Sequence, residues 1–211
     1  LHLQLEDMIH KAHAAGLHVF FSTNGQTLTP KRSSSLLSTP LDAIRFSVDA
    51  FESEEYEKIR KGGSIERLLE NIRCFRAERD RLGAATRIIV TALVDQRKWS
   101  FMRGIHRVFG GLADDIYFTN LSNPGGQIAG ERFADLSAAA GRQPCRLLWR
   151  TMVVNWEGSV TACCLDFDGK LLVGDMKKES LADIWSGETY GRFRENHRSQ
   201  RLDRMPLCAS C

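Results

Sequence analysis

Residues 41–94 read LDAIRFSVDAFESEEYEKIRKGGSIERLLENIRCFRAERDRLGAATRIIVTALV, and this stretch decides the fold class. It opens with a mainly apolar run, residues 41–48, which we interpret as a strand buried in a parallel sheet. A helix is predicted from Ser64 to the residue before Gly83, which is placed as a C-terminal cap. Its apolar positions are Ile65, Leu68, Leu69, Ile72 and Phe75. A second apolar run, residues 85–94, completes a predicted strand–helix–strand unit.

The same alternation of strands and helices continues on both sides of this unit. A helix over residues 3–15 and a strand over residues 17–22 are predicted before it. A helix over residues 99–109 and a strand over residues 114–120 are predicted after it. This order predicts an α/β fold with a parallel sheet. A closed (β/α)8 barrel needs twice as many strands, so we expect an open or truncated barrel.

The pattern changes after these four strands, where helices and strands stop alternating. Residues 122–144 are rich in glycine and alanine, which is typical of a linker. We therefore expect a domain boundary within this segment. The predicted parts are an α/β domain over residues 1–125, a linker over residues 126–143 and a small α+β domain over residues 144–211.

The small domain is predicted to contain a β-hairpin and a helix. Two apolar runs within residues 152–164 are separated by Trp156-Glu157-Gly158-Ser159, which favours a turn between two strands. Ser180 is followed three residues later by Asp183, which approximates a capping box and predicts a helix start.

Overall charge and composition exclude several classes of partner. A net charge of +3 over 211 residues is too small to favour binding to nucleic acid or to an anionic membrane surface. No apolar run approaches the roughly 20 residues that a membrane-spanning helix needs. The opening LHLQLEDMIHKAHAAG carries acidic residues early and does not resemble a secretory signal. These features predict a cytoplasmic protein without nucleic-acid or membrane partners.

Four cysteines of the small domain predict a metal site. Cys208 and Cys211 form a C-x2-C pair, Cys163 lies 45 positions before Cys208, and Cys145 lies 18 positions before Cys163. Together they offer four thiolates, which suit either tetrahedral zinc or a [4Fe–4S] cube. Thiolate chemistry alone does not choose between these two metals.

Several neighbouring residues have simpler interpretations. Cys164 is interpreted as an inert buried thiol, since adjacent strand residues point to opposite faces and Cys163 is the preferred ligand. Cys74 is interpreted in the same way, because it lies nine positions from Ile65 and so about opposite the apolar stripe of its helix. Trp149 and Trp156 flank the cysteine segment and are predicted to shield it from water. A run of arginines is interpreted as a solvated helix face; its members are Arg192, Arg194, Arg198, Arg201 and Arg204.

Residues 144–211 resemble the SPASM/Twitch auxiliary-cluster domain of many radical S-adenosylmethionine (SAM) enzymes. The matching features are a cysteine before the hairpin, the G-x-V-x-x-C-C-x-D segment at 158–166, V-G-D at 173–175, Leu181-x-x-Ile184-Trp185 and Pro206-x-Cys208-x-x-Cys211. The four cysteines are similar to the shorter, single-cluster Twitch form. The resemblance implies an auxiliary [4Fe–4S] cluster that anchors substrate or accepts an electron. Its implied ligands are Cys145, Cys163, Cys208 and Cys211.

The first part of the chain resembles the middle of a radical SAM core. The resemblance rests on FFSTNGQTL at residues 20–28 and IRFSVDAFESEEYEKIRKGGSIERLLENI at residues 44–72. In that family polar residues at strand ends contact SAM. The residues implied to do so here are Thr23, Asn24, Ser47, Asp49 and Arg60.

Some of these residues have implied roles, and some have competing interpretations. Arg60 is implied to reach the SAM methionine carboxylate as a charge-assisted pair, and Asp49 to lie on the ribose and substrate side with Ser47. Alternatively, Asn24-Gly25 is an ordinary turn and Asp49 is a helix cap. The catalytic residues themselves are not identified by the sequence.

One departure from the family pattern concerns the SAM-cleaving cluster. Neither the C-x3-C-x2-C loop that binds this cluster nor the Gly-Gly-Glu segment occurs in the chain. In the family both lie upstream, and the chain starts at Leu1, so we interpret it as a fragment that does not generate the radical alone.

The expected parent is a radical SAM oxidoreductase or maturase. Its expected partners are SAM, a peptide or small-molecule substrate, and an electron donor or acceptor protein. Two alternatives stay open at this point: a structural zinc module held by the four cysteines, and an electron-transfer partner without catalysis of its own.

Overall fold

The computed structural model describes residues 2–94, 98–120 and 143–209. The chain divides into two compact units, Leu1–Leu121 and Ser122–Cys211, which are considered separately below. The predicted linker lies outside the described residues except for Gln143. The predicted domain limits therefore stay predictions.

The first unit is built on a four-stranded parallel sheet, as the alternation predicts. Its strands are β1 (Phe20–Thr23), β2 (Ala43–Ser47), β3 (Arg87–Val94) and β4 (Asp115–Asn120). They pair in the order β1-β2-β3-β4, and every pair is parallel. Strand order that follows chain order is the arrangement of a barrel wall, since a doubly wound sheet reverses direction part-way.

Five helices accompany this sheet. They are α1 (Leu5–Ala14), α2 (Pro30–Leu37), α3 (Ser53–Ile59), α4 (Ile65–Leu82) and α5 (Lys98–Phe109). Helix α2 escapes prediction because its sequence, PKRSSSLL, is mostly polar. It forms because Pro30 suits the first helical position, and the Thr29 side chain accepts a hydrogen bond from the Arg32 N–H. Within the described residues, every helix is too short or too polar to cross a membrane.

Helix α4 matches its predicted limits because its ends are chemically fixed. The Ser64 side chain accepts a hydrogen bond from the Arg67 N–H at 3.1 Å, and Gly83 adopts the left-handed conformation that ends many helices. The side chains that face the sheet are buried; they are Ile65, Leu68, Ile72 and Phe75. Phe75 meets Phe46 of β2 edge-on, with ring centroids 6.3 Å apart.

The turn after β1 packs closely against α4. Gly25 has φ +69°, and the side-chain amide of Asn71 donates a hydrogen bond to its carbonyl at 2.7 Å. A Cβ on Gly25 would lie 2.5 Å from Leu68 Cδ1 and 3.0 Å from Phe46 Cδ1. Only glycine therefore allows this approach, which fixes where the residues following β1 lie.

Over its described residues, 143–209, the second unit contains a small antiparallel sheet and three helices. Its strands are β5 (Val153–Val154), β6 (Ser159–Thr161) and β7 (Leu172–Asp175), which pair in that order. Its helices are α6 (Leu181–Ser186), α7 (Glu188–Arg198) and α8 (Pro206–Ala209), with 3₁₀ turns at Arg146–Trp149 and Leu202–Arg204. The hairpin and the Ser180 cap are confirmed, since the Ser180 side chain accepts the Asp183 N–H at 3.2 Å.

We predict that Gly25→Ala destabilises the protein more than Gly16→Ala does. Both glycines have positive φ, so each alanine costs about 1–2 kcal/mol in conformational strain. Only position 25 adds overpacking against fully buried side chains, which costs about 1–3 kcal/mol more. Urea unfolding of both variants measures the difference. Equal losses would contradict the described packing of this turn.

Candidate metal centre and strand-end site

Three of the four predicted cysteine ligands come together in the second unit. Cys145, Cys163 and Cys208 line one cavity, whose remaining walls are mostly leucine and alanine side chains. Cys211 lies outside the described residues. In the part of the chain that the structure describes, no three His, Cys, Asp or Glu side chains form a ready site for one metal ion. A cube requires less closeness, because each thiolate binds a different iron.

Local structure places Cys145 and Cys208 at this cavity. Cys145 precedes the Arg146–Trp149 turn, where its carbonyl accepts the Leu148 N–H at 3.2 Å. Leu148 is buried in the core of the second unit. Cys208 lies in α8, and its N–H donates to the Met205 carbonyl at 2.7 Å. Met205 and Leu207 are buried and fix the short helix.

The structure distinguishes Cys163 from Cys164. Cys163 is half-buried, packs against the core and accepts a hydrogen bond from the Leu165 N–H to its Sγ at 3.4 Å. Amide donors to sulfur are typical of thiolates that bind metal clusters. Cys164 is exposed, so its interpretation as a buried thiol is wrong. The residue after the strand turns outward into the loop, where the core does not reach it.

A buried aspartate fixes the loop that carries Cys163. Asp166 is 7 % exposed, and its two carboxylate oxygens accept hydrogen bonds from the N–H groups of Lys170 and Leu171, at 2.9 and 2.7 Å. Its own N–H donates to the Cys163 carbonyl at 3.2 Å. The aspartate of the C-C-x-D segment thus has a structural explanation: it connects the cysteine loop to the start of β7.

His197 is a residue of this cavity that the sequence analysis missed. It lies on α7, is 1 % exposed, and its Nδ1 accepts a hydrogen bond from the Cys145 N–H at 3.3 Å. Helical spacing carries a signal for it, because His197 comes seven positions after the fully buried Tyr190 and so shares its face.

Cys74 belongs to the first unit. Its Sγ donates to the Glu70 carboxylate at 3.4 Å, and burial, with this hydrogen bond, raises the pKa of the thiol. A raised pKa disfavours the thiolate, which agrees with its interpretation as an inert group.

Two further expectations about this unit are wrong. Trp156 is 99 % exposed at the tip of the hairpin, so it shields nothing in this unit. Arg194 does not belong to a solvated face, because its guanidinium lies 4.3 Å from both the Trp185 and the Tyr190 ring centroids. It also donates to the carbonyls of Leu148 and Trp185. Arg194 thereby connects α7 to the Cys145 turn.

Four of the predicted SAM-binding residues lie at one edge of the parallel sheet. Thr23 ends β1 and pairs with Phe46, one residue before Ser47 at the end of β2. Asn24 directly follows β1, and Asp49 lies two residues after the end of β2. The sheet therefore brings them together, since the carboxyl ends of parallel strands meet at the same edge.

Side chains at the end of β1 form a local turn. Thr23 Oγ1 accepts the Gly25 N–H at 3.1 Å, and Asn24 Oδ1 accepts the Gln26 N–H at 3.2 Å. These are the contacts of an ordinary polar turn. Asn24 itself is exposed.

Asp49 and Arg60 form an ion pair with each other. The Asp49 side chain is 12 % exposed and that of Arg60 is 38 % exposed. The capping alternative for Asp49 is wrong, because α3 begins after Glu52 and its N-terminus has no side-chain cap. The buried Nε of Arg60 has no hydrogen-bond acceptor among the described residues.

Gln26 and Tyr56 fix the loop at this edge through hydrogen bonds, and neither residue was predicted from the sequence. The Gln26 amide donates to the Tyr56 hydroxyl at 3.1 Å and to the Ser64 carbonyl at 2.9 Å. Its oxygen accepts the Ser64 N–H at 3.0 Å. Tyr56 is fully buried, and this burial raises the pKa of its hydroxyl. The loop after β1 is thus connected to the starts of α3 and α4.

Comparison with known families assigns both parts of the chain. Residues 1–91 match the radical SAM superfamily, and residues 145–211 match SPASM, an iron–sulfur cluster-binding domain. A curated relative, the S-adenosyl-L-methionine-dependent 2-deoxy-scyllo-inosamine dehydrogenase of Niallia circulans, is 26% identical over 74 residues. That alignment covers 35% of this chain and 30% of the relative.

Solved structures share the fold at low sequence identity. SuiB of Streptococcus suis superposes with a TM-score of 0.72 at 11% identity, over 92% of this chain and 54% of SuiB. The enzyme anSMEcpe with bound AdoMet (SAM) gives 0.66 at 12% identity, over 98% of this chain and 66% of its own. BtrN in complex with AdoMet and 2-DOIA gives a TM-score of 0.53 at 17% identity, over 100% of this chain and 80% of BtrN. At such identities the likeness shows the fold alone.

The comparisons also show how much of each relative this chain covers. The chain spans about half the length of SuiB and under a third of the curated dehydrogenase. The α/β sheet, the small cysteine-bearing unit and the two family matches agree with one another. The chain therefore contains part of a radical SAM domain, in residues 1–91, followed by a SPASM iron–sulfur cluster-binding domain, in residues 145–211.

Proposed function

We propose that this chain belongs to a radical SAM enzyme, and that its SPASM domain binds one auxiliary [4Fe–4S] cluster. The proposed ligands are Cys145, Cys163, Cys208 and Cys211. The observation that supports this most is that three of these cysteines, far apart in sequence, line one cavity of the second unit. The donor set fits the group, because thiolates are the usual ligands of iron–sulfur clusters.

SAM is proposed to bind at the carboxyl edge of the parallel sheet. Thr23, Asn24 and Ser47 supply polar groups there, and Asp49 and Arg60 supply a charged pair. The buried Nε of Arg60, without an acceptor among the described residues, supports a role in binding an anionic group such as a carboxylate. Asp49 then orients Arg60, since a partly buried ion pair restricts the guanidinium to one position.

The reaction that we propose is an oxidation or maturation of a peptide or small molecule. Bound SAM and the iron–sulfur clusters supply the one-electron chemistry. The curated relative is named a dehydrogenase, which supports an oxidoreductase. Solved structures of similar fold contain a peptide, Kp18Cys, or the small molecule 2-DOIA. An electron donor or acceptor protein is a further proposed partner, and reduced cysteines suit a cytoplasmic location.

We predict that the anaerobically purified chain is brown and contains about four irons, as a single cube requires. Cys163→Ser should lose most of this iron, because Cys163 lines the cavity and accepts the Leu165 N–H. Iron analysis and the visible spectrum measure the loss.

Cys164→Ser is the matched control for this experiment. Cys164 is adjacent and exposed, so the variant should keep its iron. Iron loss in Cys164→Ser with retention in Cys163→Ser would reverse the ligand assignment. A colourless wild type with one zinc would instead establish the structural zinc module.

We predict that Arg60→Gln weakens SAM binding by the proposed radical SAM enzyme about tenfold or more. The reason is that a charge-assisted hydrogen bond contributes about 1.5–3 kcal/mol, and 1.4 kcal/mol is tenfold in affinity. Equilibrium dialysis with SAM measures the change. Lys58→Gln, on the preceding helix α3 and exposed, is the control and should bind normally. Normal affinity in Arg60→Gln would remove Arg60 from the proposed site.

A further inference from the structure

His197 differs from every other side chain at the cysteine cavity. The described lining consists of three cysteines, six leucine or alanine residues and His197. His197 is 1 % exposed, although histidine is polar on both ring nitrogens. Its imidazole is therefore placed among the three cysteines that are the proposed cluster ligands, where a polar ring can interact with the group that they bind.

One ring nitrogen of His197, Nδ1, forms a hydrogen bond with the backbone. Its Nδ1 accepts a hydrogen bond from the Cys145 N–H at 3.3 Å, so Nδ1 carries no proton. In the neutral ring the proton then lies on Nε2, which becomes a hydrogen-bond donor. Nε2 is itself buried, so solvent does not compete for this donor.

The position of the ring is also fixed. Arg194, one turn earlier on α7, donates to the Leu148 carbonyl at 2.9 Å. Tyr190, on the same face of α7, donates to the Thr151 carbonyl at 2.6 Å. These bonds connect α7 to the segment that follows Cys145. His197 is therefore held beside the cysteines by the helix as well as by its own hydrogen bond.

We propose that His197 is a positioning residue that donates its Nε2 proton to a sulfur of the auxiliary cluster and raises the reduction potential of that cluster. This inference rests on the proposed function. Reduction adds negative charge to the cluster, and hydrogen bonds to its sulfurs stabilise that charge. The effect is strengthened in an apolar cavity, where few other dipoles are present. The bond from Cys145 fixes the ring in the donating tautomer.

Two variants test the roles of the two ring nitrogens of His197 separately. In His197→Asn the side-chain oxygen can replace Nδ1 and accept the Cys145 N–H, but no donor reaches the position of Nε2. In His197→Gln the amide nitrogen can replace Nε2 and donate to sulfur. The midpoint potential is measured in the full-length anaerobic protein by EPR-monitored redox titration. The auxiliary signal is the one that added SAM does not perturb.

We expect His197→Asn to keep the iron content of the wild type and to shift the auxiliary midpoint potential to more negative values. His197→Gln should retain a potential near that of the wild type. Arg192→Gln, an exposed change on the same helix, should shift nothing. Wild-type potentials in both His197 variants would overturn the inference, and so would loss of the auxiliary iron in both, which would indicate a ligand.

A measurement on the wild type decides the question if the variants do not fold. Pulsed EPR of protein labelled with ¹⁵N-histidine should show a weak nitrogen coupling to the reduced auxiliary cluster. No coupling, or the strong coupling of a directly bound nitrogen, would contradict a hydrogen bond. A protein without any auxiliary iron would refute the proposed function itself, which is a separate result.

Discussion

The second unit depends on one constraint: thiolates from distant parts of the chain must meet in one cavity. The loop from Cys163 to Cys208 is longer than that from Cys145 to Cys163, but closing it costs only about 0.8 kcal/mol more by loop entropy. The greater separation along the sequence therefore adds little to the entropic cost of bringing the cysteines together. What fixes the meeting point is the small core around Val160, Ala162 and Leu148, against which all three segments pack.

That core is small, so the binding of a cluster and folding are expected to support each other. Ligand thiolates rarely stay together in an unfolded chain, and binding free energy then contributes to folding. Asp166 and Arg194 reduce this dependence, because their side chains form hydrogen bonds with backbone groups of the cysteine segments. The first unit follows a different principle. Its parallel strands bring polar residues to one edge, and Gly25 and Gln26 fix the turn there.

Much of this architecture could be predicted from the sequence. The parallel sheet, helix α4 with its caps, and the hairpin follow from apolar periodicity and end signals, which are local. Helix α2 could not, because its stability comes from a proline, a cap and two buried leucines in a polar run. The exposure of Cys164 and Trp156 could not be predicted either. The alternation of side chains along a strand ends where the loop begins, so it does not indicate which loop residues are exposed. Gln26 and His197 form hydrogen bonds with residues far away in sequence. Helical spacing places His197 on the face of Tyr190, but no local pattern indicates these partners.

Mössbauer spectroscopy of the chain reconstituted with ⁵⁷Fe tests whether Cys145, Cys163, Cys208 and Cys211 bind one iron–sulfur cube, as we propose. We expect a single diamagnetic [4Fe–4S] species at about four irons per chain in the oxidised state. A spectrum of a [2Fe–2S] centre, or the absence of bound iron from a folded chain that binds one zinc, would contradict it.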